Sequence, residues 1–239
     1  MRIVTLGSTV SVLIVAAAIA PLARAQTAPP PSGDGKQLVY ADFEQVENGR
    51  PVSTRGGMIQ LFGYEESGVH KSTFKGLEGA NPGAPELVRI KKDDPNHAAK
   101  FDYALRAPNQ WAGVTLEIHG RPDADGKAVP DDVSGFKVLS LQVYATGIEI
   151  LRLEAISKGA GGKDLGTVYP QMTFKVRKGL NTYRVPLSGF TQPEWTRDTR
   201  IDPKDVFKVL TSINLTAFCD QCQLNQEGMV IVDNVVFEK

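Results

Sequence analysis

The chain has 239 residues, and its 27 Lys and Arg balance its 27 Asp and Glu. A surface without a basic excess excludes a dedicated nucleic-acid binder, because phosphate recognition needs a positive footprint. Apolar content of 41% with 23% charged residues is that of a globular chain, and 23 Gly with 15 Pro favour a turn-rich β protein over a helical bundle.

Residues 1–25 read as an export leader. Arg2 gives a positive start, Val10 to Ala20 is an apolar run broken only by Ser11, and Ala23-Arg24-Ala25 fits small-x-small cleavage. The run falls short of the roughly 20 residues that a membrane span takes. No Cys stands near the cleavage point to carry a lipid. Cleavage removes Arg2 and Arg24 and no acid, which leaves a slight acidic excess. Residues 26–35, with Pro29-Pro30-Pro31, read as an extended linker. Residues 36–239 contain no second linker and no repeat. One domain is expected there, periplasmic or extracellular, with no membrane span after cleavage.

Along that domain the apolar period is two. Early strand candidates are Gln37–Phe43, Ala98–Leu105 and Trp111–His119. Leu139, Leu141, Val143 and Ala145 alternate with Ser140, Gln142, Tyr144 and Thr146. Leu151, Leu153 and Ala155 alternate with Arg152, Glu154 and Ile156. Met172, Phe174 and Val176 alternate with Gln171, Thr173, Lys175 and Arg177. Tyr183, Val185 and Leu187 follow; then Ile213, Leu215 and Ala217 alternate with Asn214, Thr216 and Phe218. Met229 to Phe237 is a nearly continuous β-branched run. Turn chemistry separates these strands at Asn48-Gly49, Gly56-Gly57, Asp125-Gly126, Gly161-Gly162 and Lys178-Gly179. One stretch is helical: Asp202 suits an N-cap, Pro203 the first helical position and Asp205 the first turn, with Val206, Val209 and Leu210 on one face. The expected fold is all-β, an antiparallel β-sandwich of jelly-roll type with one short helical turn near 203–210.

Four stretches carry a family resemblance: Tyr40-Ala41-Asp42-Phe43-Glu44; Trp111-Ala112-Gly113-Val114; Asp132-Val133-Ser134-Gly135-Phe136 with Leu139-Ser140-Leu141; and Tyr183 to Phe190 followed by Val230 to Val235. In order and spacing, over residues 38 to 238, they resemble the galactose-binding-like jelly rolls, particularly bacterial carbohydrate-binding modules. The resemblance implies a non-catalytic protein whose partner is a carbohydrate. The same fold occurs in complex-I intermediate-associated proteins, so an exported scaffold or assembly protein is the alternative. The resemblance also implies a structural calcium between the first and last strands, held by Asp42 or Glu44 and by Asp233.

The polar faces of the central strands supply the candidate ligand site. Gln142, Tyr144, Arg152, Glu154, Gln171 and Asn214 combine planar amides and charged groups with an aromatic ring, the chemistry that meets sugar hydroxyls and C–H faces. Trp195, in a polar loop, is either an exposed platform or folds back over the core. Trp111, at the head of a strand, reads as a structural plug.

Signals for catalysis are weak. The chain has no Gly-x-Ser-x-Gly, and His70, His97 and His119 fit no metal spacing. A lyase-like set can be assembled from Tyr144, His119, Arg152 and Gln142, the types any polar sheet face holds. Asp123-Ala124-Asp125-Gly126 resembles part of a calcium loop, but Arg121 stands where its first carboxylate belongs, so a turn is expected. Cys219 and Cys222 end a strand before a polar loop. In an oxidising compartment they are expected to form a short disulfide that shapes that loop, rather than a redox or zinc centre.

Overall fold

A computed structural model describes residues 35–63, 73–74, 83–106, 108–120, 129–157, 169–194, 201–219 and 226–239. The predicted leader, all but the last residue of the linker, the Asp123–Gly126 turn, His70, Trp195 and Cys222 lie outside them, as does the side chain of Cys219. The predicted disulfide is therefore not among the described contacts.

Fourteen strands, one 3-10 turn and one α-helix follow one another among the described residues: β1 Gln37–Ala41, β2 Val46–Glu47, β3 Arg50–Pro51, β4 Ile59–Gly63, β5 Thr73–Phe74, β6 Glu86–Arg89, β7 His97–Leu105, β8 Gln110–Glu117, β9 Val138–Ala145, β10 Ile150–Ile156, β11 Gln171–Lys175, β12 Asn181–Pro186, the 3-10 turn Leu187–Gly189, α1 Pro203–Phe207, β13 Ser212–Cys219 and β14 Gln226–Glu238. One sheet runs β12-β9-β14-β7-β5, with β1 alongside β14 and β6 alongside β7. The other runs β11-β10-β13-β8-β4. Every pairing in both is antiparallel. The all-β sandwich expected from the sequence is the fold observed.

The alternation explains the packing. Leu139, Leu141 and Val143 of the larger sheet are buried, and so are Leu151, Leu153, Ile213, Leu215, Val114 and Leu116 of the smaller one. All belong to one core cluster between the sheets. Tyr40 adds a polar link across the core: its hydroxyl, on β1, donates to the Leu116 carbonyl on β8 at 2.8 Å. The edge strands β4 and β6 are not among the strands expected from the sequence.

The predicted helix forms where its cap chemistry placed it. The Asp202 carboxylate accepts the Lys204 N–H at 2.9 Å, and Pro203 opens the first turn. The α-helix ends at Phe207, short of the residue 210 expected. Phe207 meets Phe190 edge to face at 5.3 Å, which fixes the helix against the sandwich.

Strand β14 changes partners along its length. Gln226–Val232 pair with β7, and Val235–Glu238 pair with β1. The register against β9 shifts between Asp233 and Val236, and Asn234 takes a positive φ of 50°. Asp233 stabilises this irregularity. Its carboxylate accepts the Asn234 N–H at 2.7 Å and the Asn96 side-chain amide at 2.7 Å. Buried backbone groups freed from a ladder need such partners.

Candidate functional site

The outward face of the five-stranded sheet forms a cleft of about 1160 Å³. Antiparallel register sets its floor in rows. Gln60, Thr115, Asn214, Glu154 and Gln171 stand opposite one another across β4, β8, β13, β10 and β11. The next row is Phe62, Gly113, Thr216, Arg152 and Thr173. Beyond it, Trp111 faces Phe218.

A chain of side-chain contacts links these strands. The Thr115 hydroxyl donates to Asn214 Oδ1 at 2.8 Å, and Asn214 Nδ2 donates to Glu154 Oε2 at 3.1 Å. Arg152 Nε approaches Glu154 Oε1 at 2.9 Å, although its N–H does not point along that line. The Arg152 guanidinium lies on the Phe218 ring, 4.6 Å from its centroid. Glu154 is only 8% exposed, a position where a carboxylate persists when charge and hydrogen bonds compensate it. The arrangement holds an acceptor, a cationic plane and an amide fixed at the bottom of a groove.

Aromatic surface flanks this floor. Trp111, Phe62, Phe218 and Tyr169 all line the cleft and are half-buried. The structure corrects the reading of Trp111: it faces the cleft from within β8, because Ala112 and Val114 take the core side. Phe218 was visible in the sequence as an aromatic on the polar side of its strand. Phe62 was not, because β4 itself was missed. At another part of the cleft His119 Nε2 faces Asp131 Oδ1 at 3.3 Å, and Arg55 pairs with the same carboxylate.

Of the predicted ligand residues, the structure brings together Arg152, Glu154, Gln171 and Asn214. Gln142 and Tyr144 stand elsewhere. They occupy β9, with Gln142 opposite Thr182 and Asp233 and Tyr144 opposite Ile231, on the outward face of the seven-stranded sheet. The reason is that alternation assigns a residue to a face of its strand but not to a sheet. The lyase-like set divides in the same way, with His119 and Arg152 in the cleft and Tyr144 and Gln142 on the far side.

Asp42, Glu44 and Asp233 gather near the point where β14 changes partners. Glu44 accepts the His97 N–H at 2.5 Å and faces His97 Nδ1 at 3.0 Å; Asp42 accepts the Glu44 N–H at 3.2 Å. Burial, reinforced by the Glu44 and Asp42 charges, raises Asp233 above the usual aspartate range against the pull of Asn96 and Asn234. The donors are hard oxygens of the kind calcium takes. Among the described residues, however, no three acidic, imidazole or thiol side chains converge tightly enough to hold a metal by themselves. Backbone carbonyls are needed to complete any shell there.

No family model matches the chain, and no curated protein does. Solved structures do. The family 11 carbohydrate-binding module of the cellulosomal cellulase Lic26A-Cel5E of Clostridium thermocellum is 15% identical, with a TM-score of 0.52 over 84% of this chain and 94% of that one. The Clostridium thermocellum family 11 module in complex with a β-1,3-1,4-mixed-linked tetrasaccharide is 16% identical, with a TM-score of 0.51 over 85% and 95%. Among the described residues no helix is long and apolar enough to cross a membrane. The chain has the β-sandwich fold of carbohydrate-binding modules.

Proposed function

We propose that this protein is an exported, non-catalytic binder of a neutral glycan chain, which lies in the cleft of the five-stranded sheet. The observation that carries the reading is the fixed Thr115–Asn214–Glu154–Arg152 array beneath half-buried aromatic rings. Hydroxyl groups both donate and accept, so they match an acceptor carboxylate beside a guanidinium. Ring faces match the C–H surfaces of sugars. The Glu154 carboxylate is engaged by Asn214 and Arg152, which suits holding a hydroxyl better than moving a proton. Among the described residues lining the cleft, Glu117, Glu154 and Glu194 outnumber Arg152, which favours an uncharged chain over a polyuronate. The oligosaccharide named with one fold neighbour supports the ligand class.

Affinity electrophoresis against neutral and acidic polysaccharides tests the reading. Retardation by at least one neutral glycan, with none by uronic-acid polymers, is expected. Free migration in every gel would overturn it. A structural calcium beside Asp42, Glu44 and Asp233 belongs to the same proposal, since a cation there relieves the repulsion among those carboxylates.

A further inference from the structure

Thr216 faces outward from β13, between Asn214 and Phe218, yet it is fully buried. Its hydroxyl has no hydrogen-bond partner. Such a group is uncommon in native proteins, because it has given up water without replacement. Two strands flank it. On one side Arg152 stands opposite Thr216, held against Phe218 and Glu154. On the other, Gly113 stands opposite Thr216, and a Cβ built on it would collide with the Leu215 carbonyl oxygen and stand 2.9 Å from Phe62 Cζ and 3.0 Å from Cε1. The Leu215 carbonyl and the Phe62 ring together take the space that a side chain at 113 would fill.

We propose that Gly113 and Thr216 form a closed subsite in the middle of the cleft floor, which opens when a glycan chain displaces the Phe62 ring. A sugar hydroxyl or hydroxymethyl group then enters the space that the ring leaves and pairs with the Thr216 hydroxyl. This rests on the glycan-binding reading of the cleft. Phe62 suits the role of cover: it is half-buried on a strand at the end of its sheet and lies outside the core cluster, so it can move without disturbing the core. Arg152 stays as the opposite wall. A valine at 216 would fill the same volume without an unpaired hydroxyl, so the threonine is accounted for by a partner that arrives with the ligand.

The test uses the full chain and the variants Thr216→Val, Thr216→Ser, Phe62→Ala and Phe62→Ala/Thr216→Val. Melting curves are recorded without ligand. Calorimetric titrations use a β-1,3-1,4-linked glucan tetrasaccharide and the neutral glycans that retard the parent. Thr216→Val should melt above the parent, and that gain should vanish in the Phe62→Ala background, where water reaches the hydroxyl. Thr216→Val should bind at least fivefold more weakly, with Thr216→Ser retaining most of the affinity. A lower melting temperature for Thr216→Val, an equal shift in both backgrounds, or unchanged affinity in Thr216→Val overturns the proposal. A parent that binds no glycan overturns the glycan reading and the ligand's place at Thr216 with it. Loss of the melting coupling alone overturns the cover and leaves the glycan reading standing.

Discussion

Asn214 and Glu154 face each other across the β10–β13 pair, and the Asn214 amide donates to the Glu154 carboxylate at 3.1 Å. Both are largely buried, and Asn214 is in turn held by Thr115. Asn214→Leu therefore strips a buried carboxylate of a donor and leaves the Thr115 hydroxyl without its acceptor. It should lower unfolding free energy by about 1–3 kcal/mol and abolish glycan binding. Urea denaturation beside electrophoretic retardation measures both. Full stability with full binding would show that the array is incidental.

The two outward faces should behave differently under substitution. Arg152→Ala uncovers Glu154 and removes the guanidinium from Phe218, so both affinity and stability should fall. Tyr144→Ala changes the opposite side of the sandwich and should leave glycan affinity within twofold of the parent. An affinity loss in Tyr144→Ala that matches the loss in Arg152→Ala would move the ligand, or a second ligand, to the seven-stranded sheet.

Trp111 gives the cleft a spectroscopic handle. Its indole lines the groove opposite Phe218 in the strand register. Trp111→Ala should weaken glycan binding several-fold to tenfold, the scale of an aromatic contact of about 0.5–1.5 kcal/mol. Glycan should shift the parent's tryptophan emission, and that response should be lost in the variant. Retention of the full response would assign it to Trp195.

Removal of calcium carries a sign. An ion bound only to the folded chain adds to its stability by mass action. EDTA should therefore lower the melting temperature, and added calcium should restore it, while glycan binding survives because Asp42, Glu44 and Asp233 lie away from the cleft-lining residues. Identical melting curves with and without EDTA would reject the site.

Acid should unfold the chain partly through Asp132. Its carboxylate accepts the Ser134 hydroxyl at 2.6 Å and the Ser134 N–H at 2.9 Å, and these bonds hold it below the usual aspartate range against a smaller effect of burial. A depressed pKa in the folded state supplies stability above the ordinary aspartate value, and that stability is lost as pH falls through the folded value. Asp132→Asn should flatten the acid limb of a melting-temperature profile relative to the parent. Superimposable acid limbs would assign no role to this turn.

Strand identity and face were legible in the sequence because alternation is a local property of the chain. Leu139, Leu141 and Val143 had to share one side of β9, and Arg152 and Glu154 had to share the outward side of β10. The helix start at Asp202-Pro203 was equally local, since capping involves neighbours in sequence. Which strands joined which sheet was not local. Glu154 meets Asn214 sixty residues away, while Tyr144, ten residues before Glu154, stands on the other sheet opposite Ile231. Only tertiary pairing decided that Arg152, Glu154, Gln171 and Asn214 share a groove while Gln142 and Tyr144 do not. It also turned Trp111 from an expected plug into part of the cleft wall. Side chains of one face become a site only when backbone hydrogen bonds set their strands side by side, and those bonds carry no sequence label.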